Sequence, residues 1–148
     1  MLGCAMTASA GNFFPPDYKV FPFKEGDLLS SRNRDGMYSV SKVLKVDRVL
    51  LRKGRVINIQ GKLFTATEDD FLLIVSACYG KAEFKSLDEA RAAARASTWH
   101  VKMAHIPNRP PGAAEGQTLV GHAPVQEREL EGYRLWKQAF DRGEAGVF

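Results

Sequence analysis

Histidine and cysteine are scarce in this chain of 148 residues: three of the former, two of the latter. Cys4 and Cys78 lie far apart in sequence, and a lone pair in a chain of this size is no disulfide framework, which points to a reducing compartment and to the cytoplasm. His100 and His105 fall on opposite faces of any alternating strand, and His122 stands alone in Gly121-His122-Ala123-Pro124. No zinc spacing results, so neither a metal nor another cofactor is expected. Long apolar runs are also missing. The longest, Phe71 to Tyr79, is interrupted by Ser76 and is about half of the ~18 residues that a membrane helix needs, which excludes a membrane span. No glycine-rich loop joins a strand to a helix, so there is no phosphate-cradling fingerprint, and no repeat occurs at solenoid or propeller spacing.

What is present is an ordinary globular balance, 45% hydrophobic and 26% charged, in a chain long enough for one core of its own. Residues 1–22 mix Gly, Ala and Ser with Pro15-Pro16 and Pro22 and read as a flexible arm. The first ten end in small residues but lack the positive and apolar regions of a signal peptide, and Met1 and Met6 are both possible starts. Residues 23–148 read as a single α+β domain.

Leu28 to Ser31 reads as a short strand, and Asp35-Gly36 as a tight hairpin leading into a strand from Met37 to Val46. There Tyr38, Val40, Leu44 and Val46 share one face, Ser39, Ser41 and Lys45 the other, and Lys42 breaks the apolar side. Asp47-Arg48 reads as a turn into Val49 to Arg52, and short strands follow at Val56 to Ile59 and Lys62 to Thr65. These strands predict a small curled antiparallel sheet at the N-terminal end, SH3-like or a partly open barrel, with two or three helices packed on it.

Thr67 followed by Glu68-Asp69-Asp70 resembles a helix cap, so Phe71 to Val75 is read as helical, although a buried strand fits the same run. Ser86-Leu87-Asp88-Glu89 is a capping box opening an Ala/Arg helix to Ala96. Thr98 to Met103 alternates as a strand with Trp99, Val101 and Met103 on one face; Asn108 to Gly116, with two prolines and two glycines, reads as an exposed loop. Leu119-Val120 reads as a brief strand. A last helix from Gln126 to Arg142 carries Leu130, Tyr133, Trp136 and Phe140 as an apolar stripe and stops at Gly143. The expected core is Tyr38, Val40, Leu44, Val46, Ile57, Ile59, Phe71, Ile74, Trp99, Val101 and that stripe.

Chemistry is hard to find in this pattern. Glu68-Asp69-Asp70 and Asp88-Glu89 are explained as helix-start acids, and a pairing of Cys78 with His100 or His105 has no local support. No catalytic residue is assigned. Charge is more informative: residues 31–62 carry nine basic side chains against two acids, a net +7 in a chain whose total is +4. The remainder therefore carries −3. Such clustering suits an electrostatic partner. The surface expected to bind comprises Arg32, Arg34, Arg48, Arg52, Lys53 and Arg55 with the loop residues Asn108 and Arg109. Only one aromatic, Tyr38, falls among the basic residues, whereas single-strand binders interleave aromatic platforms; nucleic acid is therefore the alternative partner and protein the first.

Lys24-Glu25-Gly26-Asp27-Leu28, Asp35-Gly36-Met37-Tyr38-Ser39-Val40 and Lys42-Val43-Leu44-Lys45-Val46 together resemble the opening of a group of small bacterial cytoplasmic proteins, some of them immunity proteins of toxin systems. The segments Gly121 to Val125, Glu129 to Trp136 and Gly143 to Phe148 likewise resemble bacterial proteins to which no activity attaches. The resemblance implies an intracellular, non-catalytic protein that binds and neutralises a toxin. It carries over no functional residues.

Overall fold

The structure, a computed structural model, describes residues 15–148; most of the arm expected at the N-terminus lies outside them. Seven strands and three helices follow one another: β1 Asp27–Arg32, β2 Tyr38–Leu51, β3 Val56–Ile59, β4 Lys62–Thr65, β5 Asp70–Gly80, α1 Leu87–Ala96, β6 Val101–Asn108, α2 Pro110–Ala114, β7 Thr118–His122 and α3 Glu131–Asp141. Five strands form an antiparallel sheet in the order β6-β5-β2-β1-β7, and β3 pairs with β4 in a separate hairpin. The α+β class stands, but the sheet keeps two edges and does not close into a barrel. It also takes β5, β6 and β7 from beyond the N-terminal third.

The hairpin between β1 and β2 follows the residues. Gly36 has φ +84°, the Asp35 carboxylate accepts from the Met37 amide at 2.9 Å, and the Asn33 amide donates to the Met37 carbonyl at 2.7 Å. Beyond it, β2 runs for 14 residues, so Asp47-Arg48 is not a turn. Both pair with the long β5, at Ile74 and Leu73; a turn there would strip ladder partners from a central strand.

β5 corrects a second expectation, because Phe71 to Val75 is strand and not helix. Its two faces are both covered, Leu72 and Ile74 packing with Phe140 and Val75 with Leu29, Val43 and Ala113. A strand buried on both faces reads as an unbroken apolar run. Asp70 caps no helix: its carboxylate takes the Lys19 ammonium at 2.6 Å and the Phe71 amide at 2.8 Å.

A bulge lies at Leu44, where the register slips between Val43↔Ala77 and Lys45↔Ser76. One extra residue reverses which side chains face which layer. Before it, Val40 packs under α1 with Ala90 and Ala94; after it, Val46 packs on the opposite face against Val43 and Val75. The alternation read from sequence places these two together, and the bulge separates them. Asp47 and Val49 then share the face of Ile74 and Leu72.

Helices α1 and α3 cover one face of the sheet, and α2 with Phe21 and Phe23 covers the other. The α1 cap is as expected, Ser86 Oγ accepting from the Glu89 amide at 3.1 Å. The segment after Asn108 departs from expectation: Pro110 and Pro111 occupy the first helical turn, where a missing N–H costs nothing, and Ala113 is buried on the sheet. Trp99 is half-buried, but Val101 is 50% exposed: β6 is an edge strand, and among the described residues no strand lies beyond it. In the last helix the stripe packs through Trp136 and Phe140, whose rings stack 5.0 Å apart. A 3₁₀ turn at Glu127–Leu130 precedes it, and Gly143, at φ +77°, follows it.

The segment at Gly146-Val147-Phe148 joins the two sheets. The Val147 amide donates to Asn58 and its carbonyl accepts from Gln60, while the Phe148 amide donates to Pro107 and its carbonyl accepts from Arg109. Val147 is buried in the α3 cluster, and Trp136 Nε1 donates to the Gly146 carbonyl at 2.8 Å.

Candidate functional site

Lys42, the residue that interrupts the apolar alternation, is buried at the centre of the helix-covered face. Its ammonium donates to both oxygens of Glu129, at 2.9 and 3.1 Å, and to the Pro124 carbonyl at 3.1 Å. Glu129 is held in place by the cap of its own 3₁₀ turn, accepting from the Gln126 amide at 2.8 Å. Burial opposes its ionisation, but the Gln126 amide and Lys42 outweigh burial and keep the carboxyl below its ordinary range. Opposite Lys42 in the ladder is Cys78, whose thiol burial, reinforced by Glu129, pushes up to about 11. At neutral pH this is an inert thiol.

Two further polar pairs lie under α3, which follows the turn that carries Glu129. His105 Nε2 is 2.8 Å from Ser76 Oγ, and burial lowers the imidazole to about 4, so it is neutral in the folded protein. Tyr133 donates to Asp47 at 3.0 Å; burial raises Asp47 above the ordinary carboxylate range, and burial together with Asp47 raises Tyr133. Neither histidine considered as a base for Cys78 is directed to it: His105 meets Ser76, and His100 Nδ1 is 3.0 Å from Glu83. Among the described residues no three His, Cys, Asp or Glu side chains gather as a metal would require.

The basic residues fall into three places. Arg32 and Arg34 are exposed at the β1–β2 hairpin, whereas Arg48, Arg52, Lys53 and Arg55 lie towards the far end of β2, Arg48 being already roughly 33 Å along at the ~3.3 Å rise of an extended strand. The far group is held by its neighbours. The Arg48 guanidinium sits 3.8 Å from the Phe71 ring centre, and Arg55 sits 5.2 Å from that of Phe140 while donating to the Leu50 carbonyl at 3.5 Å. Arg52 is 3.9 Å from Asp69, and the Lys53 amide donates to the same carboxylate at 2.9 Å. Asn108 and Arg109 are elsewhere again, tying down the chain: Asn108 is buried and donates to the Tyr79 hydroxyl at 2.8 Å, and Arg109 Nε donates to the Phe148 carbonyl at 3.2 Å.

No protein-family model, curated protein or solved structure matches this chain. Function therefore rests on the residues themselves.

Around the far basic group, apolar side chains stand in solvent. Leu50 is 60% and Leu63 79% exposed, and Val56 is also exposed beside Arg55. Reading along the sequence missed this mixture, since Leu50 and Leu63 sit in runs that look like core. The pairing of Lys42 with Glu129, 87 positions apart, was missed too; its one sequence signal was a lysine inside an apolar stripe.

Proposed function

We propose that this protein acts in the cytoplasm by binding another protein and performs no chemistry of its own, the resemblance noted above suggesting a bacterial toxin as the partner. The observation that supports this reading is the surface at the far end of β2, where Arg48, Arg52, Lys53 and Arg55 are interleaved with exposed Leu50, Val56 and Leu63. Arginine beside aliphatic surface is the composition of recognition patches, and the positive potential selects an acidic partner face. A nucleic-acid interface would offer free aromatic platforms, but the aromatic nearest these arginines, Phe71, is covered by Arg48. Arg32, Arg34, Asn108 and Arg109 stand outside this surface.

The test is affinity capture of the tagged full chain from lysate of its own cells, with and without nuclease, beside a variant carrying Arg52→Glu and Arg55→Glu. A stoichiometric protein that survives nuclease and is lost with the double reversal, while the circular-dichroism spectrum shows the fold retained, is the expected result. Nuclease-sensitive nucleic acid in place of a protein would transfer the surface to the alternative reading, and a protein captured equally by both forms would make the cluster a solvated face.

A further inference from the structure

The strand β6 ends the sheet on one side, and among the described residues no strand lies beyond it. Its first half is open: Val101 is 50% and Met103 43% exposed. Beyond that stretch α3 crosses close over the strand, since a Cβ added to Gly132 would come 2.9 Å from the Cβ of His105. Between the open stretch and α3 lies a cavity of about 400 Å³, lined on its apolar part by Leu44, Cys78, Val101, Ala104 and Leu135 and on the rest by Arg128, Glu129, Glu131 and Gly132. Leu135, at 63% exposure, is the apolar rim of this groove on the helix side. Further along the same edge, extended chain is already added: Phe148 pairs with the strand by donating to Pro107 and accepting from Arg109. An open edge strand, a groove beside it and a helix wall together offer main-chain hydrogen bonds in one direction and a side-chain pocket in the other.

We propose that the outer edge of β6 over residues 101–104 takes an extended segment of a partner protein as an added strand, with an apolar side chain of that segment in the groove under Leu135 and a carboxylate opposite Lys102. Charge decides the occupant. Lys102 is exposed on the edge and is in no ion pair among the described residues, and the groove's Glu129 is already held by Lys42. An acidic segment therefore neutralises a free positive charge, whereas two copies paired with Lys102 against Lys102 would bring like charges together. This surface is separate from the arginine cluster at the far end of β2, and its fate does not depend on that reading.

The experiment is panning of a random dodecapeptide library on phage against the full chain, followed by affinity measurement with the synthetic peptides recovered. Enriched peptides are expected to alternate apolar and polar residues and to carry an acid. Their affinity should fall about tenfold or more with Leu135→Glu, and with Lys102→Glu the selection should turn to lysine-bearing sequences. The Arg52→Glu, Arg55→Glu variant should bind them as the unaltered chain does, which keeps this result apart from that of the arginine surface. Absence of enrichment, peptides indifferent to both Leu135→Glu and Lys102→Glu, or a dimer of the chain that Leu135→Glu dissociates would each overturn the proposal.

Discussion

Lys42 and Glu129 show how much a single side chain depends on its partner in this fold. A lone ammonium at the centre of the sheet would have to give up its charge or its burial, and Glu129 removes that choice. Glu129→Gln should therefore cost about 2–4 kcal/mol in urea melts, while Lys42→Met combined with Glu129→Leu should recover most of the loss, because an apolar pair of similar size leaves no charge stranded. His105 gives a pH dependence of known sign. Its folded value of about 4 lies below its ordinary 6.5, so on acidification the unfolded chain takes up a proton before the folded one does. This contribution is absent above pH 6.5 and lowers stability as pH falls from there towards 4, by about 3 kcal/mol for the full shift and by less once solvent screening of the partly exposed ring is counted. Replacement by glutamine should flatten that part of the stability curve, and melts at half-unit steps of pH will show whether it does. The Glu129 pair acts lower on the scale, its stabilisation being lost only as pH falls through a carboxyl value already below the ordinary one.

At the scale of elements, legibility followed the range of the forces involved. The Ser86 cap of α1, the Asp35-Gly36 hairpin and the glycine stop after α3 depend on residues within a turn of each other and stand where the spacing places them, although the Glu89 carboxylate meets the Ser86 hydroxyl and leaves the reciprocal half of the capping box unformed. The reading of Phe71 to Val75 as helix failed because an apolar run has no period, and what decides its conformation is β2 and β6 lying alongside. The bulge at Leu44 left no local mark, yet it moves Val46 to the other face from Val40. α3 is amphipathic by its own sequence, and its anchor is Trp136, which stacks on Phe140 and donates to Gly146. Trp136→Ala should cost about 3–5 kcal/mol in a circular-dichroism melt; an unchanged midpoint would mean that the helix is held by its polar contacts alone.

For the molecule as a whole, the segment Gly146-Val147-Phe148 matters beyond its length, since it hydrogen-bonds to the β3–β4 hairpin on one side and to the end of β6 on the other. Gly146 has no room for a side chain, a Cβ there running into the Asn58 carbonyl. Val147→Asp should bury a charge among Ile57, Ile59 and Phe140 and release the hairpin, seen as fast amide hydrogen exchange at residues 56–65 with the five-stranded sheet still protected. Unchanged exchange would show that the hairpin is held by its turns into β2 and β5 alone. Of the candidate sites, the far basic cluster was visible as charge, but its separation from Arg32 and Arg34 along β2 was not.

Composition, periodicity and short-range spacing determined that this chain is α+β, where its capped helix and tight hairpin fall, and that its positive charge is gathered in residues 31–62. All of these depend on neighbours along the chain. Only the tertiary structure decided that the sheet stays open, that Lys42 meets Glu129, that Asn108 is buried while Leu50 and Leu63 are exposed, and that an edge at residues 101–104 stands beside a groove. Each of those is a contact between residues far apart in sequence, settled by which strand pairs with which and by a one-residue register shift, and neither leaves a trace in the local pattern of side chains.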